Sequence, residues 1–394
     1  MLHQKTPFTV LLAVCSVAVC LPALPAENNT GKTHNEAEPE LTLTIRCEKP
    51  DLKVGDEIPI VFVIKNEGIT DYKYMDRSYD RSGRMHEYEL SAVDEQGNGI
   101  PDPRAKPELR IGGGLAGEGR LAPGESYAKT IALNRWALLT EPGVYGITGT
   151  YRLGGNRPGI ASRPIRIELQ PRTDDEMAAY VKDLSTQLAV TSVGGDRAAV
   201  VRKLMYTCDR RIVPALVEAM YKSDAASYWA VEAFKYYLPD DQEIYAAFLG
   251  ASLNRGLAVG MLRILKHRGL PSEQIKPLIE VSLSPEHPDA WRHGALAAQQ
   301  YADDRFTTRL IAIATDPKTD ARSQAIYALA FNRTDASVAA LKGFLREPDP
   351  PHPIGRTIRQ TTEHAIRTAY LGRGNTEGRR LRKDDFDPKY QVMP

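Results

Sequence analysis

The sequence predicts a multidomain β + α chain, an antiparallel β-sandwich followed by a superhelix of paired α-helices. Three observations predict it. Apolar residues alternate with period two between Leu41 and Leu169, the period lengthens to between three and four beyond Pro171, and the second part repeats itself at an offset of 30 or 31 residues. At 394 residues the chain exceeds one ordinary hydrophobic core, so more than one domain is expected.

The first 26 residues stand apart from both parts. His3 and Lys5 precede FTVLLAVCSVAVCLPALPA, an apolar run that is short for a bilayer and ends in small residues and prolines. That is the layout of a secretory signal cleaved after Ala26, so the chain is expected to be exported, to a periplasm or beyond the cell. Cys15 and Cys20 each follow valine, where lipoprotein processing uses glycine or alanine, which makes lipidation the weaker reading. Residues 27–40, ENNTGKTHNEAEPE, have no apolar period and are expected to form a solvated linker. Once Lys5 is removed, 50 Lys and Arg face 50 Asp and Glu, so nothing in the charge balance asks for nucleic acid or an anionic membrane. No second apolar segment is long enough to span a bilayer, and no membrane insertion is expected after cleavage. Only Cys47 and Cys208 then remain, far apart, which excludes a disulfide framework.

Residues 41–170 carry the first domain. In LTLTIRCE, Leu41, Leu43, Ile45 and Cys47 share one face, and in IPIVFVIKN the same holds for Ile58, Ile60, Phe62 and Ile64. HEYELSAVD, SYAKTIALN, GVYGITGTYRL and SRPIRIEL are further strands, punctuated by Gly, Pro and Asn. Polar partners such as Thr42, Thr44 and Arg46 imply that the opposite face meets water, as in an antiparallel sandwich. LAPGES before SYAKTIALN and EPGVYGITGTYRL after it resemble the immunoglobulin-like domains at the front of many exported bacterial proteins. The resemblance implies a fold and is nearly silent on function.

Residues 172–372 carry the second domain. TDDEMAAYVKDLSTQLAV opens a helix with Thr173 and Glu176 at the spacing of a capping box. RHGALAAQQYADDRFTTRLIAIATDP from Arg292 aligns with RSQAIYALAFNRTDASVAALKGFLREPD from Arg322, and the stretches from Ala225 and Arg255 fit the same mould. Each unit is a helix, a tight turn at Asp, Pro or Gly, and a second helix. A lone pair of short helices cannot bury both faces, so several must stack. Five pairs are expected between Asp196 and Glu347, flanked by single helices at Thr173–Thr191 and Ile354–Leu371. These units resemble the HEAT repeat family in its short variety, like the repeats of phycobilisome lyases, which implies an α-solenoid. Residues 373–394 are expected to form a flexible tail.

Apparent catalytic motifs have plainer explanations. Gly112–Gly117, GGGLAG, satisfies GxGxxG but no helix follows to receive a pyrophosphate, so an interstrand loop is expected. GRLAPGES places Glu125 where a P-loop needs lysine, a negative charge against a polyanion. DEQGNGIPD, from Asp94, spaces oxygen donors like a calcium loop, yet Ala105 stands where the bidentate glutamate belongs, and a turn is expected. No HExxH, CxxC or GxSxG occurs. The acidic pairs Asp174–Asp175, Asp240–Asp241 and Asp303–Asp304 lie before or between helices, where carboxylates cap free N–H groups. No catalytic, cofactor or metal residues are expected.

What remains is surface. An amphipathic helix cannot bury Tyr228, Trp229, Tyr236 and Tyr237 together, because they span too much of its circumference. Arg210, Arg211, Arg305, Arg309, Lys342 and Arg346 fall on or near second helices, which line the concave side of such solenoids. The expectation is therefore a non-enzymatic exported scaffold that binds a protein or peptide through Tyr228, Trp229, Tyr236, Arg305, Arg309, Lys342 and Arg346. The alternatives are an accessory or regulator of an enzyme, inhibitor-like or lyase-like, and a hydrolase with a site between the domains.

Overall fold

The computed structural model describes residues 40–77, 84–85, 87–104, 116–153, 158–192, 195–222, 225–239, 241–258, 260–348, 357–370 and 385–386. The expected signal, nearly all of the expected linker and tail, and residues 112–115 of the glycine run lie outside them.

The alternating segments form strands. β1 (Leu41–Cys47), β2 (Leu52–Lys53), β3 (Pro59–Asn66), β4 (Tyr72–Arg77) and β5 (Tyr88–Val93) come first. β6 (Ala116–Leu121), β7 (Ser126–Ala132), β8 (Gly143–Tyr151), β9 (Ile160–Ala161) and β10 (Ile165–Gln170) follow. One sheet runs β1-β3-β7 and another β2-β10-β8-β5, with β9 beside β8 and a separate ribbon of β4 and β6. Every pairing is antiparallel except that of β2 with β10. Ile45 stands opposite Phe62, and Ile60 opposite Ile131, so the apolar face of one strand continues into the next. Phe62 meets Tyr88 of the other sheet edge-on at 5.2 Å, closing a core that holds Leu90, Ile147 and Ile167. Tyr145, at the start of β8, donates its hydroxyl to the carbonyl of Glu141 at 2.8 Å.

Asp94 is a turn residue: its Oδ1 accepts the amides of Gln96 at 3.0 Å and Asn98 at 2.7 Å, and Gly97 adopts a φ of +83°. The expected glycine loop is corrected at its end, because Ala116 and Gly117 open β6. A Cβ on Gly119 would lie 2.3 Å from the Tyr74 ring, so this first glycine of the P-loop likeness lets that ring cross the strand, while Gly124 serves a turn at a φ of +81°.

Helices occupy the rest. α1 (Asp174–Val190) stands alone, with the Thr173–Glu176 capping box in place. Five pairs follow: α2 (Gly195–Tyr206) with α3 (Val213–Met220), α4 (Ala225–Glu232) with α5 (Gln242–Arg255), α6 (Met261–His267) with α7 (Ser272–Ser282), α8 (Trp291–Gln300) with α9 (Thr307–Thr315), and α10 (Arg322–Asn332) with α11 (Asp335–Phe344). α12 (Ile358–Tyr370) closes the series. Among first helices α2 packs on α4 and α8 on α10, and among second helices α3 on α5, α5 on α7 and α9 on α11; α3, α7 and α9 also pack on the first helix of the next pair. Ala295 and Ala298 of α8 and Ala325 and Ala328 of α10 are fully buried, and their small side chains permit that close approach. Asp209, Asp241 and Asp303 start turns by accepting the amides of Arg211, Glu243 and Arg305. Among the described residues no helix is long and apolar enough to cross a membrane.

Candidate functional site

α4 runs directly into a π-helical turn, Ala233–Tyr237, closed by the Leu238 amide on the Ala233 carbonyl at 2.9 Å. The wider turn changes the facing of Tyr236 and Tyr237 relative to Tyr228 and Trp229. The β part covers that face. The Tyr237 hydroxyl donates to the Asn134 carbonyl at 3.2 Å, Arg104 lies over the Tyr236 ring at 5.0 Å and pairs with Glu232, and Arg135 lies over the Trp229 ring at 4.5 Å. Tyr228 meets Trp229 edge-on at 5.2 Å. Three of the aromatics expected at a partner surface are thus half-buried within the chain, and Tyr237 is buried outright. The arginines Arg104 and Arg135 escape sequence reasoning, since they come from two separate turns with no shared spacing. The signal that could have found them is the surplus of aromatics on α4, which demands a cationic or apolar cover.

A second set of expected residues gathers at the end of α7 and the start of α9. Arg305, Phe306, Thr308 and Arg309 line a groove with Glu280, Val281, Leu283 and Ser284. Asp303 orients one side of it. Its carboxylate accepts Arg305 Nε at 3.0 Å and Nη2 at 3.2 Å, and lies 3.4 Å from Lys276, which is only 8% exposed. Burial alone would raise Asp303, but the Arg305 guanidinium and Lys276 outweigh it and hold the carboxyl at about 2. Arg309, by contrast, is exposed and makes no ion pair with any described residue.

That depressed value fixes a sign. Asp303 ionises more readily folded than unfolded, so its stabilisation is full above about pH 4 and is lost as pH falls through about 2. Asp303→Asn is expected to cost about 2 kcal/mol at pH 7, with the difference from wild type shrinking between about pH 4 and 2. Urea unfolding at a series of pH values measures it; a difference that stays constant with pH would assign the loss to packing instead.

Lys342 and Arg346 are exposed at the end of α11 and do not border this groove, Lys342 lying 5.7 Å from the Phe386 ring. Arg210 pairs with Glu243 at 3.0 Å, and Arg211 with Asp209 at 2.6 Å and Asp174 at 3.0 Å. Of the cations expected along the second helices, Arg210, Arg211 and Arg305 are thus in ion pairs, while Arg309, Lys342 and Arg346 make none with a described residue. Cys47 and Cys208 are free thiols, and burial pushes Cys208 up to about 12, which keeps it from acting as a thiolate. Among the described residues no group of three or more His, Cys, Asp or Glu is placed to hold a metal ion.

No protein-family model and no curated protein matches the chain. Among solved structures, a β-glucosidase, EmGH1 from Erythrobacter marinus, matches with a TM-score of 0.20 and 15% identity over 34% of this chain and 16% of that one. A likeness of that size carries nothing about fold or chemistry.

Proposed function

We propose that the chain is an exported, non-enzymatic binding protein in which an immunoglobulin-like β-sandwich supports a HEAT-like α-solenoid that engages a protein or peptide. The sheet orders β1-β3-β7 and β5-β8-β10 follow the A-B-E and C-F-G arrangement of such sandwiches, and the Tyr145–Glu141 bond has the form of their tyrosine corner. The packing of first helices on first and second on second supports the solenoid. The observation that carries the binding role is the α7–α9 groove: an apolar floor of Leu283 and Phe306, a guanidinium held rigid by Asp303, and the unpaired Arg309 at its edge. Rigid arginine beside buried aromatic and aliphatic groups is the composition of interface anchors.

A displayed peptide library selected on the purified chain tests it. Selected peptides are expected to bind about tenfold more weakly to Arg309→Glu, a ~1.4 kcal/mol loss, with thermal unfolding unchanged. If no peptide is enriched, or if Arg309→Glu binds the selected peptides as wild type does, the groove is not the site.

A further inference from the structure

The junction of the two parts holds charges that do not balance. Asp102 takes Arg84 and Glu232 takes Arg104, while Arg135, delivered by the turn after β7, makes no ion pair with any described residue. Its Nε is buried with no hydrogen-bond partner. Arg202 borders the same Trp229 ring at 5.4 Å and also makes no ion pair with a described residue. Beside Arg135, Tyr206 is 3% exposed and its hydroxyl has no partner either. Apart from its own burial, the Arg135 guanidinium is the strongest influence on that hydroxyl, ahead of Glu57, which pairs with neither arginine.

Folded interiors leave few buried donors unsatisfied, and each one that is left calls for an explanation. Tyr206 meets Tyr237 edge-on at 5.9 Å, and the Tyr237 hydroxyl reaches the carbonyl of Asn134, the residue before Arg135. A guanidinium nitrogen and a phenol hydroxyl thus lie in one region with no acceptor for either among the described residues. Both suit an anionic oxygen acceptor. The Trp229 ring 4.5 Å from the Arg135 guanidinium favours a flat group, and a carboxylate can engage a guanidinium edge with two parallel bonds and still accept from a third donor. Arg135, Arg202 and Trp229 are each only half-buried, so solvent reaches the junction at their side. We infer that this junction binds a carboxylate-bearing ligand through Arg135, with the Tyr206 hydroxyl as a further donor and Trp229 as the flat wall. The site stands independently of the α7–α9 groove.

The test is a titration of the purified full chain at fixed ionic strength, read by tryptophan fluorescence. Benzoate and N-acetylphenylalanine are the carboxylate probes, their amides the neutral controls, and inorganic phosphate the tetrahedral control. Saturable binding of at least one carboxylate is expected, with neither amide binding. Arg135→Gln should weaken it by about tenfold or more and Tyr206→Phe by about threefold. Tighter binding of N-acetylphenylalanine assigns the site to a peptide C-terminus, and tighter binding of benzoate to a small organic acid. The inference is overturned if neither carboxylate saturates, if the amides or phosphate bind as well, or if a folded Tyr206→Phe chain keeps full affinity. Should Arg135→Gln fail to fold, the isosteric Tyr206→Phe comparison decides.

Discussion

Asn134→Leu is expected to lower the unfolding free energy by about 4 kcal/mol and to loosen the β part from the helices. Asn134 is 5% exposed, and its amide completes two backbone groups that have no other partner among the described residues: Oδ1 accepts the Ile58 amide at 2.8 Å, and Nδ2 donates to the Asp56 carbonyl at 2.9 Å. Leucine keeps the volume but leaves an N–H and a C=O buried and unpaired, at about 1–3 kcal/mol each. The same residue's carbonyl receives the Tyr237 hydroxyl, so distortion of this turn reaches the helices directly. Tyr237→Phe removes only that last bond and is expected to cost about 1 kcal/mol. Urea unfolding of both variants gives the two values. A loss under about 1 kcal/mol for Asn134→Leu would mean that water reaches Ile58 and Asp56 once the amide is gone.

The contrast between Asn134 and its neighbours shows what the sequence carries. Leu43, Ile45, Ile60, Phe62 and Ile64 are buried at alternate positions because a strand turns successive side chains to opposite faces, and that period is visible in one dimension. The five helix pairs are visible for the same reason, with a longer period and a repeat behind it. β2 and β9 have two residues each, too few to display any period, and β6 is hidden by its glycines, of which Gly119 makes room for the Tyr74 ring of another strand. The candidate site divides in the same way. Arg305 and Arg309 fall on one turn of one helix start, so their sequence spacing brings them to one groove. Trp229 and Tyr236 were legible as residues that a single helix could not bury. What covers them was not legible, because Arg104 and Arg135 lie more than ninety positions away, in turns without a pattern. The π-helical turn at Ala233–Tyr237 adds to this, since it breaks the period from which facing is read.

Phe331→Ala is expected to cost about 4 kcal/mol and to show whether the helices depend on one another as stacked units. Phe331 is fully buried on α10, which packs against α8, α9, α11 and α12, so truncation leaves a cavity in the middle of the series. In the proposed solenoid each pair is held chiefly by its neighbours, and the loss should spread along the stack and fade with distance. Amide exchange is then expected to quicken in α8 to α12, while amides of β3 and β8 keep their protection. The β part and the helices belong to one unit, however, joined through Asn134, Arg104 and Arg135. If β3 and β8 exchange faster by the same factor as α10, the whole chain unfolds as one cooperative body, and the junction, not the nearest-neighbour stacking, governs stability. Exchange that quickens in α10 alone would argue against stacking, because α8 and α12 would then have been shown to stand without it.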